Sequence, residues 1–331
     1  MWAKALRVIP RISKEEWNQL DVISKWLIAT RSAVLIMTFN SAAIAGILAY
    51  RDGKFSLGLW LLLALGLCLA HATNNLVNDM TDYRRGVDKD NYFRAQYGPQ
   101  PLEHGLMSMR QLFVYAAVTG LLALTCGAYL VYLRGTLALA LLAAGVFFVL
   151  FYTWPLKYIG LGELAVLLVW GPLMIGGGYY TVAGEWSWAA VLVSIPYALG
   201  PVTVIFGKHV DKYKDDKAKG IRTLPVIIGE RASRYIILIM IVLQYLLVFY
   251  LIAGGFFSPA MLLVLLALTV MPQVFPMYLQ PKPEQMPAGY RADIWPLWCV
   301  AAAFYHTRRY GILFLVALLI DAVLHVLAIW R

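Results

Sequence analysis

Two stretches of the chain combine carboxylates, amides and cations in a spacing that could bind a divalent metal ion and a phosphate. The first, residues 71–88, reads HATNNLVNDMTDYRRGVD. A helical period places four of its polar side chains on one face: His71, Asn75, Asn78 and Asp82. Asp79 lies beside that face, and Asp88 follows Gly86. Ionisable groups at the end of an apolar segment are costly unless they are paired or hydrated, so this face is predicted to be functional.

The second stretch, residues 208–222, has the same character and reads KHVDKYKDDKAKGIR. Asp211 and Asp215 are i, i+4 neighbours in it, and Asp216 is adjacent. Because each acidic cluster stands at the end of an apolar segment, we expect one polynuclear metal site closed between the two.

The residue types favour Mg²⁺ and a diphosphate. Hard divalent cations take oxygen ligands and usually bind one or two carboxylates plus substrate phosphate. Six side chains could supply those oxygens: Asn78, Asp79, Asp82, Asp88, Asp211 and Asp215. Six cations stand around the second cluster: Lys208, Lys212, Lys214, Lys217, Lys219 and Arg222. A solvated run of surface charge would explain the lysines singly, but it explains the paired aspartates poorly.

The elements that must position these residues are membrane helices. The chain has 331 residues, of which 61% are hydrophobic and 14% charged, with a mean hydropathy of +0.69. This composition is typical of an all-α integral membrane protein rather than a soluble domain. Nine segments are long enough to cross a bilayer: 26–50, 57–78, 111–133, 136–154, 161–181, 187–207, 235–254, 258–279 and 311–330. The short apolar stretch 293–306 is predicted to be a re-entrant or interfacial piece, with a tenth span as the alternative.

The positive charge predicts the orientation. Most of the 28 lysines and arginines lie in the N-terminal arm and in the loops after even-numbered segments. Positive loops stay in the cytoplasm, so the N-terminus and both acidic stretches are predicted to face it, in a bacterial or archaeal cytoplasmic membrane. We expect a cytoplasmic arm (1–25) and a single transmembrane domain (26–331), with cap loops at 79–110 and 208–234. Because the membrane orientation explains the excess of positive charge, no nucleic acid is expected as a partner.

The two acidic stretches resemble a known family. Residues 78–82, NDMTD, followed by GVD ending at Asp88, resemble the NDxxD…D motif of the UbiA-type intramembrane prenyltransferases. Residues 211–225, DKYKDDKAKGIRTLP, resemble the second motif of that family, DxxxD…GxxTLP. Residues 152–163, YTWPLKYIGLGE, are similar to its segment after the fourth span. The GVD variant and the loop FRAQYGPQPLEHGLMS resemble the 1,4-dihydroxy-2-naphthoate (menaquinone) branch more than the hydroxybenzoate branch.

The resemblance implies about nine helices around a central cavity, with Mg²⁺ and a polyprenyl diphosphate under the cytoplasmic loops. It implies catalytic roles for Asp82, Asp211 and Asp215 beside the six metal-binding positions. Mg²⁺ and cationic side chains would stabilise the departing diphosphate, and the apolar cavity would shield the allylic cation. An aromatic acceptor would then attack, and a carboxylate would take its proton. A dihydroxynaphthoate-type acceptor would also lose CO₂.

Eight further side chains are candidates for binding the substrates: Arg31, His71, Asn75, Tyr152, Lys157, Lys208, Lys212 and Arg222. Structural alternatives exist for several of them. Arg31 could be a membrane-edge arginine that snorkels, and Tyr152 an interfacial anchor. His71 could be a satisfied interior histidine.

Other functions remain open. The same diphosphate machinery would suit hydroxybenzoate, a chlorophyllide-like tetrapyrrole or a glycerol-phosphate lipid precursor as the acceptor. An ion-coupled secondary transporter also pairs acids within a repeat, but its acids are expected in mid-span at broken helices. A CDP-alcohol phosphotransferase would need a DGxxAR stretch between its acids, and that stretch is absent.

Overall fold

The computed structural model describes residues 1–87 and 98–330, and no strand occurs among them. The described helices, numbered in chain order, are α1 (Trp2–Arg7), α2 (Lys14–Asn18), α3 (Val22–Ala29), α4 (Leu35–Arg51), α5 (Leu57–Arg84), α6 (Met109–Arg134), α7 (Thr136–Phe151), α8 (Gly162–Ala183), α9 (Trp188–Asp211), α10 (Tyr213–Ala218), α11 (Leu224–Ile228), α12 (Glu230–Ala253), α13 (Pro259–Leu279) and α14 (Cys299–Val326).

The protein is an all-helical integral membrane protein, as the composition predicts. Eight of the described helical segments are long and apolar enough to cross a bilayer, and α7 is a shorter apolar helix of 16 residues. These nine segments overlap the nine predicted spans, although the first and the last differ in their bounds. A run of about 20 apolar residues has to satisfy its backbone hydrogen bonds internally, so the helix is the available structure.

The prediction for residues 293–306 is wrong for its second half. Residues 299–306 are the first turns of α14, which continues without interruption to Val326, so they form neither a separate re-entrant piece nor a tenth span. An interfacial position of residues 293–298 stays a prediction. Arg308 and Arg309, which lie between the predicted spans 258–279 and 311–330 and so in a predicted loop, are exposed residues within this helix. A 28-residue helix is about 42 Å long, so it extends beyond the hydrocarbon and can carry charge on its outer turns.

The first predicted span is also interrupted. Helix α3 ends at Ala29, and a 3₁₀ turn at Ser32–Val34 precedes α4. Between them, Arg31 has left-handed backbone angles, with φ 55° and ψ 49°. The break turns the chain at an arginine rather than at a glycine, which requires support from side-chain contacts.

The helices group into two compact units. The first contains Met1–Phe39 and Leu61–Pro155, and the second contains Asn40–Trp60 and the chain from Leu156 onward. The expected organisation into an arm of residues 1–25 and one domain from residue 26 stays a prediction.

In the first unit, the N-terminal arm is folded onto the helices. Ala5, Trp17 and Ile28 are buried in one apolar cluster with Leu76 of α5 and Leu112 of α6. The cluster places the arm against the part of α5 that carries the first acidic motif.

In the second unit, α9 packs against α8, α12 and α14. Two glycines permit the approach of α9 to α14. A Cβ on Gly207 would lie 2.8 Å from the carbonyl oxygen of Cys299, and a Cβ on Gly200 would lie 2.8 Å from a methyl carbon of Thr307. Small residues at such a crossing let membrane helices pack backbone to backbone.

Candidate functional site

The predicted polar face of α5 is buried in the first unit. His71 and Asn75 are both buried. Nδ1 of His71 lies 2.8 Å from the hydroxyl of Thr38, and the amide nitrogen of Asn75 donates to the carbonyl of Thr30 at 2.8 Å. These bonds connect α5 to the start of α4 and to the turn that precedes it. For Asn75, the contact supports a structural role, and the substrate-binding role stays a prediction.

Further along the same face, the first acidic motif occupies the last turns of α5. Asn78 and Asp82 are buried, with 7% and 1% of their surface exposed. The amide nitrogen of Asn78 donates to the hydroxyl of Thr153 at 2.8 Å, which fixes the orientation of the amide. The structure therefore brings together the two i, i+4 positions that the sequence predicts.

Asp79 forms an ion pair with Arg31. The carboxylate is almost fully buried, and the arginine side chain is 20% exposed. A buried carboxylate requires such a partner, because desolvation of an isolated charge is costly. The contact also explains how an arginine is held in the left-handed turn. The structure thus gives Arg31 a partner within the first motif.

The segment after α7 borders the first motif. Tyr152 is half-buried, and Thr153 is buried. The guanidinium of Arg85 stacks 5.0 Å from the ring centre of Trp154. This segment of the family-like sequence therefore contacts the end of α5 within the first unit. Asp88, the last predicted ligand of the first motif, lies outside the described residues.

In the second unit, Asp211 is joined to the start of α14. Its two carboxylate oxygens accept hydrogen bonds from three successive backbone N–H groups, those of Trp298, Cys299 and Val300, at 2.9, 2.8 and 3.1 Å. The first N–H groups of a helix have no partner within the helix, so a carboxylate at this position is a helix cap. The sequence analysis predicts metal-binding and catalytic roles for Asp211 and does not predict this contact.

Asp215 and Asp216 differ in their surroundings. Asp216 is buried and lies 3.5 Å from the ammonium of Lys212, which is also buried, whereas Asp215 is exposed. The reason is a break at Lys212, where α9 ends and α10 begins. The i, i+4 spacing of Asp211 and Asp215 is therefore not carried by one continuous helix. Asp216 was missed as a candidate site residue although it stands next to a chosen one.

A third segment, residues 280–298, also folds onto the second motif. Lys282 lies close enough to Asp211 and Asp215 for their charges to act on it. Burial lowers the pKa of its ammonium, and the two carboxylates oppose that shift. Tyr290, whose hydroxyl donates to the carbonyl of Leu297, has its pKa raised to about 12, first by burial and then by the charge of Asp211. No local pattern in the sequence pointed to this segment.

The remaining predicted cations are distributed unevenly. Lys157 is buried, with its ammonium 5.3 Å from the ring centre of Tyr158. Lys208 is half-buried on the last turns of α9, and Arg222 is exposed. A buried lysine suits binding of an anion, and an exposed arginine does not by itself indicate a site.

The second unit also contains a buried acid–base pair of a histidine and a glutamate that was not predicted. Nδ1 of His209, on the last turn of α9, lies 2.6 Å from a carboxylate oxygen of Glu163, on the first turn of α8. Both side chains are buried. Glu163 ends the family-like stretch 152–163, and His209 lies two residues before Asp211, so their positions beside the motifs were the available signal.

The oxygen donors at the end of α5 suit a hard cation. Within residues 1–87 and 98–330, no group of three or more His, Cys, Asp and Glu side chains is arranged to hold a metal ion alone. Mg²⁺ does not need such a group, because it usually keeps waters and substrate phosphate oxygens in its coordination shell. Asn78 and Asp82 on α5 are an appropriate donor set for this kind of binding.

Comparisons with known proteins agree on one family. The model of the UbiA prenyltransferase family matches residues 39–295. UbiA prenyltransferase domain-containing protein 1 from Danio rerio is 27% identical over 277 residues, which are 81% of this chain and 79% of that protein. The 2-carboxy-1,4-naphthoquinone phytyltransferase of Synechocystis sp. is 27% identical over 67% of this chain and 72% of its own. Among solved structures, a UbiA homolog from Archaeoglobus fulgidus bound to GPP and Mg²⁺ has the same fold, with a TM-score of 0.54, 16% identity, and 89% of this chain and 99% of that chain covered.

Proposed function

The chain belongs to the UbiA prenyltransferase family, and we propose that it transfers a polyprenyl group from an isoprenoid diphosphate to an aromatic quinone precursor. The family makes it a membrane prenyltransferase. The proposal adds Mg²⁺ as the cofactor and a dihydroxynaphthoate-like molecule as the acceptor. Two relatives support these additions: the naphthoquinone phytyltransferase named above, and the homolog whose structure holds GPP and Mg²⁺.

One observation carries the proposal: Asn78, Asp79 and Asp82 are all buried within two turns at the end of a membrane helix. Buried carboxylates and amides of this kind are costly for stability, and oxygen ligands are what Mg²⁺ prefers. Asp79 is neutralised by Arg31, whereas Asn78 and Asp82 are held on one face of α5. We therefore assign Asn78 and Asp82 to the metal ion and Asp79 to the support of that face.

The residues of the second unit have complementary roles in the proposal. Lys157 and Lys212 are buried cations that would bind diphosphate oxygens, since charge-assisted hydrogen bonds to phosphate are strong. Asp215 and Asp216 would bind a metal ion or orient Lys212. Asp211 would hold the start of α14 in place beside them.

The chemistry follows from these roles. When bound, Mg²⁺ would neutralise the charge that develops on the departing diphosphate. The lysines would hold the diphosphate while its allylic C–O bond ionises, and apolar walls would exclude water from the cation. The half-buried ring of Tyr152 is suited to stabilise that cation through its face.

The proposal includes the orientation of the protein. The N-terminal arm and both acidic segments would face the cytoplasm, in a bacterial or archaeal membrane. The distribution of lysine and arginine over the loops supports this orientation.

The test uses purified protein in nanodiscs with Mg²⁺, a labelled polyprenyl diphosphate and separate acceptors. These are dihydroxynaphthoate, hydroxybenzoate, a chlorophyllide and a glycerol-phosphate lipid precursor. Diphosphate release and the prenylated product are measured, the product by mass spectrometry. We expect product with dihydroxynaphthoate and none after the double substitution Asp82→Asn with Asp215→Asn, in protein whose thermal unfolding shows that it is folded.

The possible results separate the parts of the proposal. Product with a different acceptor would retain prenyl transfer and reject the assigned acceptor. Full activity of the double variant would reject the metal-site assignment. If folded wild-type protein released no diphosphate with any of these acceptors, the proposed reaction would be rejected as a whole.

A further inference from the structure

The buried pair Glu163–His209 has one further polar atom on each side chain, which does not take part in the hydrogen bond between the two residues. Nδ1 of His209 and Oε1 of Glu163 face each other at 2.6 Å, with only 2% and 4% of the two residues exposed. Within the part of the chain that the structure describes, neither Nε2 of His209 nor Oε2 of Glu163 has a hydrogen-bond partner. Buried polar atoms are nearly always hydrogen-bonded, so these two atoms on one pair are available to a ligand.

The chemistry of the two atoms defines what they would bind. Oε2 of Glu163 is a hydrogen-bond acceptor, and Nε2 of His209 is a donor or an acceptor depending on the tautomer of the imidazole. A hydroxyl group can donate to Oε2 and can pair with Nε2 in either tautomer, whereas phosphate and carboxylate oxygens cannot donate to Oε2.

The pair lies beside a cation that is proposed to bind diphosphate. A Cβ on Gly162 would lie 3.7 Å from Cε1 of His209 and 3.5 Å from Cα of Lys157. The imidazole therefore packs against the backbone that connects Lys157 to Glu163. A hydroxyl bound here would stand next to the residue that holds the leaving group.

We infer that Glu163 and His209 bind a hydroxyl group of the aromatic acceptor and thereby determine acceptor specificity. The inference rests on the proposed prenyl transfer and names the residues that would recognise the second substrate. It also explains how the protein distinguishes its two substrates: lysines bind the anionic donor, and the Glu163–His209 pair binds the phenolic acceptor.

The first test needs no variant. Dihydroxynaphthoate and its two monomethyl ethers are compared as competitive ligands through their inhibition constants, so that differences in reactivity do not enter. Methylation of the recognised hydroxyl removes its donor, and we expect about tenfold weaker binding for one of the two ethers. Equal binding of all three compounds by active wild-type protein would overturn the inference and leave the proposed function intact.

The second test uses Glu163→Gln and His209→Gln, with His306→Gln as the matched control. His306 is also a buried histidine of the second unit, and its Nε2 lies 2.8 Å from the hydroxyl of Tyr245. We expect both site variants to raise the KM for the acceptor about tenfold, to leave the KM for the prenyl diphosphate unchanged, and to bind the ethers and the parent alike. The control should keep the preference of the wild type.

The results that would contradict the inference differ from those that would contradict the proposed function. If a site variant raised both KM values together, or if the control lost the preference to the same degree, the pair would have only a structural role. If wild-type protein prenylated no acceptor at all, the proposed function would fail, and the inference with it. The comparison of the ethers remains decisive if neither site variant folds.

Discussion

A carboxylate oxygen of Asp211 lies 2.8 Å from the backbone nitrogen of Cys299, which follows it by 88 residues in the chain. Together with the bonds from Trp298 and Val300, this contact joins the second acidic segment to the first turn of α14. An acidic residue of a motif that is expected to bind metal therefore also caps a helix.

Because of this contact, Asp211→Asn should lower stability as well as activity. Its amide can no longer accept at both atoms, and leaving buried N–H groups without partners should lower the free energy of unfolding by about 1–3 kcal/mol. Asp215→Asn, at an exposed position, should change it by less than about 0.5 kcal/mol. Thermal unfolding in detergent measures both variants. If Asp211→Asn and Asp215→Asn had equal melting temperatures, the hydrogen bonds of Asp211 would not stabilise the start of α14.

The ion pair between Arg31 and Asp79 should contribute to the stability of the first unit. In a double-mutant cycle with Arg31→Gln and Asp79→Asn, we expect a coupling energy of about 1–3 kcal/mol, since the carboxylate is buried. The exposed pair Lys54–Glu185 is the control, and its coupling should stay below about 1 kcal/mol. Strictly additive single substitutions at Arg31 and Asp79 would show that their contact adds nothing.

The crossing of α9 and α14 should not tolerate a methyl group at Gly207. Gly207→Ala would place a Cβ 2.8 Å from the carbonyl oxygen of Cys299, and overpacking of this kind costs about 1–3 kcal/mol. Gly145→Ala in α7 is the control, because its Cβ would meet nothing within 4 Å. That variant should be neutral or slightly stabilising, since alanine favours helix. Urea or thermal unfolding of both proteins gives the comparison.

The cap of α3 should be lost in acid. Hydrogen bonds from the side chain and backbone of Ser24 lower the pKa of Asp21 from 3.8 to about 2. A carboxyl whose pKa is lower in the folded state stabilises the fold above the unfolded value, and this contribution is lost as the pH falls from 3.8 through about 2.

Hydrogen exchange of the α3 amides, corrected for the intrinsic rate at each pH, measures this change. In the wild type, protection of these amides should fall between pH 4 and pH 2, relative to the other helices. Asp21→Asn keeps a capping side chain without the ionisable group. Its protection should therefore stay flat, and a parallel fall in the variant would assign the effect to another residue.

The sequence was sufficient to predict the nine apolar segments and the polar face of α5, because both depend on local patterns. Helical period alone brings Asn78 next to Asp82, and the burial of both follows from the helix. The break at Lys212 was beyond such reasoning, so Asp215 was chosen where Asp216 is buried. A helix continued through Lys212 would have kept Asp215 in line with Asp211.

Contacts between distant parts of the chain were the other limit. Nothing near Asp211 indicates that it caps α14, and nothing near Lys282 indicates that it lies beside Asp211. The charges of Arg308 and Arg309 led to the opposite error. They predict a loop, whereas both residues lie within the 28-residue helix α14. The roles of the predicted ligands themselves stay predictions.

Helix α5 has 28 residues and is therefore about 42 Å long, whereas the hydrocarbon core of a bilayer is about 30 Å thick. The apolar residues occupy the N-terminal part of this continuous helix, and the acidic residues occupy its last turns. The depth of Asn78 and Asp82 relative to the lipid headgroups is consequently set by the match between this helix and the local thickness of the membrane. Lipid chain length thus becomes a variable of the reaction, because a thicker bilayer draws the acidic turns toward the acyl chains and a thinner one exposes them to water.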